Sequence, residues 1–183
     1  MKRAFAILNL AVAAVLTLPG SAAFAQTRAE ALLGDLARPE NEGWRRTERQ
    51  LIEEWSKSGS AALDLLLKRG RDALSEGDYD KAIGHLTALT DHAPDFAEGF
   101  NLRASAYFRS GRYGPAVADL QRALELNPQN FVALAGIGAI LEETGQKAGA
   151  LQAYRAALAI HPRQEDVKKA AQRLDDALSG QKI

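Results

Sequence analysis

The sequence predicts an all-α fold, a stack of helix-turn-helix units, and three observations predict it. Pro94, Pro128 and Pro162 recur every 34 residues, as do the glycines Gly77, Gly111 and Gly145 and the alanines Ala82, Ala116 and Ala150. Self-similarity at this period marks one supersecondary unit that buries its apolar face on the next copy. The segments flanking the three copies carry their own single-sided apolar stripes at helical spacing.

Residues 1–25 read as a bacterial secretory leader. Met1-Lys2-Arg3 is a charged start, Ala4 to Leu18 an apolar run, Pro19-Gly20 a break, and Ala23-Phe24-Ala25 an A-x-A cleavage site. The run of about 15 apolar residues falls short of the roughly 20 needed to cross a bilayer, so cleavage after Ala25 and export to the periplasm are expected, with no stable membrane insertion of the mature chain. Without Lys2 and Arg3 the 23 basic residues fall to 21, against 23 acidic ones. No basic excess calls for nucleic acid or anionic lipid. Cysteine is absent, which removes disulfides, thiolate metal sites and thiol nucleophiles.

Residues 26–62 are expected to form an N-terminal helix pair. The first helix runs from Thr27 to Leu36 with Leu32, Leu33 and Leu36 on one face, and Pro39 prevents its continuation. In the second, Trp44, Leu51, Ile52 and Trp55 fall at offsets 0, 7, 8 and 11, one helical stripe that Gly59 ends. Two readings stand for the tryptophans: they cover the open end of the first repeat, or they form an exposed aromatic docking surface.

The copies span residues 63–96, 97–130 and 131–164, each a helix A, a turn at the shared glycine, a helix B and an exit marked by proline, which pushes the residue before it out of helical geometry. Small residues stand at the eighth place, Gly70, Ala104 and Gly138, and at the twentieth, Ala82, Ala116 and Ala150, where the two helices approach most closely. The turns Gly77-Asp78-Tyr79 and Gly111-Arg112-Tyr113, and the endings Ala123 to Pro128 and Ala157 to Pro162, complete a pattern that resembles the tetratricopeptide repeat, TPR. The copies depart from it at Leu89-Thr90, at Lys147 in place of the turn tyrosine, and at Leu66, Phe100 and Leu134 where tryptophan is common. Residues 165–183 follow as an amphipathic capping helix and a tail, with Val167, Ala170, Ala171, Leu174 and Leu178 on one face.

No catalytic constellation accompanies the repeats. His85, His92 and His161 lie on different helices without metal-ligand spacing. His92 and His161 stand near the ends of helices B, where an imidazolium would complement the dipole. Adjacent carboxylates such as Glu142-Glu143 point about 100° apart on a helix and do not converge on one atom. No enzyme activity, cofactor or metal is expected.

What the resemblance implies is a right-handed solenoid that binds a protein or peptide partner on the concave surface of its helices A. Carried onto this sequence, the surface includes Arg71 in the first copy, Asn101, Ser105, Phe108 and Arg109 in the second, and Glu142 and Glu143 in the third. Asn101 and Arg109 suit a peptide backbone or carboxylate, Phe108 an apolar anchor, and the glutamates a basic residue. The family's set of polar residues for clamping a chaperone's terminal carboxylate is not matched, because Leu67, Leu102, Val132 and Gly136 fall in its places. A monomeric interaction module of the bacterial envelope is thus expected; a self-assembling module that pairs through its helical ends is the alternative.

Overall fold

The computed structural model describes residues 22–38 and 40–180. The expectation of a leader over residues 1–25 lies mostly outside them, as does that of a fraying tail over residues 181–183. Among the described residues there are nine helices and no strand: α1 (Ala22–Leu36), α2 (Trp44–Trp55), α3 (Ala61–Glu76), α4 (Tyr79–His92), α5 (Ala97–Arg109), α6 (Tyr113–Leu126), α7 (Phe131–Glu143), α8 (Lys147–Ile160) and α9 (Glu165–Ser179). Two bounds differ from the sequence reading. Helix α1 begins at Ala22, so the expected cleavage point falls inside it, and α2 stops at Trp55, four residues before Gly59.

Each repeat closes through the same turn chemistry. Gly77, Gly111 and Gly145 sit at φ of 77°, 76° and 78°, a left-handed conformation that glycine adopts without a Cβ penalty. The next residue's N–H then reaches back to a free carbonyl of the helix just ended: Asp78 to Ala73 at 3.0 Å, Arg112 to Tyr107 at 2.8 Å and Gln146 to Leu141 at 2.7 Å. Asp78 also caps α4, its side chain accepting from the Lys81 N–H.

Packing explains the small residues. Ala82, Ala116 and Ala150 are fully buried. A Cβ placed on Gly70 would lie 2.5 Å from Leu86 Cγ, and one on Gly138 would lie 2.5 Å from Tyr154 Cδ1. Helices A and B touch there with no room for another carbon. Between repeats, Arg103 donates to both carboxylate oxygens of Asp119 at 2.7 and 2.8 Å and to the hydroxyls of Thr87 and Thr90. This one side chain ties α4, α5 and α6 together through charge-assisted bonds.

Helices α3, α5 and α7 pack directly on one another, which puts the helices A on the inner face of the stack. At the far end, α9 covers α8, burying Ala171 and Leu174 with Ala150, Leu151 and Tyr154. The N-terminal pair is placed differently from expectation. Neither tryptophan covers the first repeat, where Leu65 stays 46% exposed. Instead α1 and α2 lie along the edge formed by the exits from helices B and dock on the third repeat, where Leu33, Leu36 and Leu51 bury themselves with Phe131 and Ala157. Trp55 meets Phe131 at 5.6 Å between ring centroids, and Trp44 meets His161 edge-on at 5.3 Å. Apolar area decides the placement: Phe131 opens the third copy with a large ring where Leu63 and Ala97 open the other two.

Candidate peptide groove

The seven candidate residues divide into two groups by what they touch. Arg71, Asn101 and Glu142 are engaged within the chain. Arg71 Nη2 donates to Glu98 Oε1 at 2.8 Å and to Ser56 Oγ at 2.6 Å, so it joins α3 to α5 and to the end of the N-terminal pair. Asn101, buried, donates to the other oxygen of Glu98 at 3.1 Å. Burial pushes the Glu98 carboxyl up from its ordinary value, while the bonds from Arg71 and Asn101 pull it back. Glu142 accepts from Arg173 of α9 at 2.6 Å and from the Tyr154 hydroxyl at 3.0 Å. The Arg173 bond is the main cause that holds this carboxyl below its usual range, and burial together with Glu142 pushes Tyr154 up to about 12.

Ser105, Phe108, Arg109 and Glu143 form the second group. Among the described residues the Ser105 hydroxyl bonds only the backbone carbonyl of Asn101, at 3.2 Å. Phe108 is half-buried beside Tyr113, with ring centroids 5.8 Å apart. Arg109 is exposed and reaches the Leu74 carbonyl at 3.4 Å, near the limit of a hydrogen bond. Glu143 is exposed and makes no ion pair among the described residues. A guanidinium and a carboxylate are therefore exposed near the C-terminal ends of α5 and α7, beside a partly exposed ring that also packs on the core of the second repeat.

Sequence reasoning did not assign Glu98 its central place, nor the position of His161. Far from standing at a solvated helix end, His161 is fully buried between Trp44 and Phe131. Neither ring nitrogen has a hydrogen-bond partner, and the nearest carboxylate, Glu48, lies 3.7 Å from Nε2. Burial pushes this imidazole's pKa down, so at neutral pH it is an uncharged wedge and not a cation on the helix dipole. The signal was present in the sequence: the places equivalent to His161 are Ala93 and Asn127, so the third copy alone carries a ring there. No group of His, Asp or Glu residues suited to a metal occurs among the described residues, and none of their helices is long and apolar enough to cross a membrane.

A curved stack of paired helices with its A helices inward defines a helical repeat solenoid. The tetratricopeptide repeat family model matches residues 67–131 and 101–165, and the chain belongs to that family. A TPR repeat-containing protein of Rhizobium etli is 32% identical over 127 residues, 69% of this chain and 62% of that one. The SGT1 homolog of Bos taurus is 31% identical over 120 residues, 66% of this chain and 36% of that one. The chain thus spans less than two thirds of the length of either relative. Among solved structures, the first TPR of Spaghetti (RPAP3), bound to the HSP90 peptide SRMEEVD, aligns at a TM-score of 0.62 with 26% identity, over 64% of this chain and 93% of that one.

Proposed function

We propose that the chain is a non-catalytic interaction module that holds a peptide segment of a protein partner on the inner face of its repeats. The observation that carries this reading is the set Ser105, Phe108, Arg109 and Glu143. These groove side chains offer a partly exposed apolar ring and both signs of charge, while Arg71, Asn101 and Glu142 are held in bonds within the chain. The peptide bound in the similar RPAP3 domain supports the same mode of recognition. Its acidic tail is a poor guide to the ligand. In this chain Leu67 is buried in the core and Gly136 lies against Leu120, so the carboxylate-clamping positions offer no polar group. The leader-like pattern of residues 1–25 supports work in the periplasm of the bacterial envelope, and the covering of α8 by α9 supports a monomer. The balance of charge gives nucleic acid no purchase.

Crosslinking in cells with the tagged full chain, beside a Phe108→Ala/Arg109→Glu variant, tests the reading. One envelope protein recovered with the wild type and lost with the variant is the expected result. The same proteins recovered with both would move binding off the groove.

A further inference from the structure

The N-terminal pair does not lie flush along the edge it crosses. The end of α2 touches two repeats, the first through Ser56 on Arg71 with Ser58 on Asp64 and the third through Trp55 on Phe131, and Trp44 at its start meets His161. Between α1 with the end of α2 on one side and the start of the second repeat with the end of α6 on the other lies a cleft of 800 Å³. That volume is within the roughly 300–1,000 Å³ of pockets that enclose a ligand. Leu33 and Trp55 on one wall, with Phe96 and Leu126 on the other, supply apolar surface.

Among the described residues that line the cleft, the charges without an ion pair are of one sign. Glu54 pairs with Lys57 at 2.6 Å and with Arg28 at 3.7 Å, and Glu98 pairs with Arg71 at 2.8 Å. Lys57, the one basic residue lining the cleft among the described residues, is paired with Glu54. Glu30 and Asp95 remain, on opposite walls, exposed and without a partner among the described residues. Apolar walls with an unpaired carboxylate on each side suit a chain that alternates apolar and cationic side chains, because each carboxylate then gains a counter-charge and the apolar groups leave water. We propose that this cleft is a second contact for the partner of the groove, taking a basic, apolar-anchored peptide segment of that protein. The inference rests on the interaction reading above and adds the charge of the segment and the place where it docks.

Trp44→Phe leaves Trp55, in the cleft wall, as the single tryptophan reporter in the full chain. Titration with acetyl-Leu-Lys-Leu-Arg-Leu-amide is expected to change its emission saturably and less strongly as salt rises, and acetyl-Leu-Glu-Leu-Glu-Leu-amide is expected to leave it unchanged. Glu30→Lys/Asp95→Lys should weaken the basic peptide by about tenfold, and Asp95→Asn alone by about threefold. Both carboxylates are exposed and unpaired, so circular dichroism should show unchanged helicity in these variants. Equal response to the acidic peptide, undiminished binding by both variants, or no change in emission would each overturn the proposal. So would an equal response to arginine amide alone, which would make the cleft a small-cation site. If the crosslinked partner is lost with Phe108→Ala/Arg109→Glu but kept with Glu30→Lys/Asp95→Lys, the groove reading stands and the cleft inference falls.

Discussion

Two kinds of helix contact hold this molecule together, and they differ in how completely they satisfy what they bury. Within a repeat, helices A and B meet through residues with no side chain to spare: Gly70 under Leu86, Gly138 under Tyr154, and the fully buried Ala116. The buried polar groups nearby are paired, as Arg103 is with Asp119. Where the N-terminal pair meets the third repeat, two tryptophans and a phenylalanine supply the area, yet His161 is buried among them with both nitrogens unbonded. A buried polar atom without a partner costs on the order of 1–3 kcal/mol. The repeats are therefore the rigid part, and the N-terminal pair is an attachment whose hold is partly offset by its own wedge.

The largest effect should come from overfilling a repeat interior. Ala116→Trp forces α5 and α6 apart and should cost about 3 kcal/mol or more, seen as a large drop in melting temperature. An unchanged melting temperature would mean that the helices do not meet at this register. Glycine substitutions sharpen the same point by sign. Gly138→Ala gains helix propensity but drives a methyl into the Tyr154 ring, for a net loss of about 1 kcal/mol. Gly84→Ala, on α4 with nothing within 4 Å, should gain about 0.5–1 kcal/mol by denaturant titration.

Acid should act on the attachment before it acts on the repeats. The unfolded chain protonates His161 near its ordinary value of about 6.5, and the buried ring does so only at lower pH. Below about pH 6.5 the unfolded state then binds more protons, so this contribution is complete above that value and fades as pH falls. Glu48, the charged group facing the ring from α2, works in the opposite sense. Burial pushes its carboxyl up against the pull of Arg45 and Arg49, so its contribution is complete below about 4.5 and is lost as pH rises through the raised value. Tryptophan emission between pH 7.5 and 5.5 should report loosening in the wild type and in Glu48→Gln, and none in His161→Phe.

The same contrast explains what could be read in advance. Proline exits, turn glycines and small residues at the eighth and twentieth places are local requirements repeated three times, so the repeats were legible. The Trp44 to Trp55 stripe announced that α2 buries a face. It did not announce against what, because the contact joins positions about a hundred residues apart and an apolar stripe carries no address. The groove was legible only as a set of positions. That Arg71, Asn101 and Glu142 are taken up by Glu98, Arg173 and Tyr154 depends on side chains meeting across helices, which spacing along one helix does not reveal.

That the N-terminal pair is fastened to the third repeat, and so forms one wall of the cleft, is best tested by hydrogen exchange on the full chain and on Phe131→Ala. Removing the ring that Trp55 and His161 share should raise exchange throughout α1 and α2 by at least about tenfold, while α3 to α6 keep their protection. Equal protection of α1 and α2 in both proteins would contradict the placement, as would a wild-type pair that exchanges as freely as an unfolded chain.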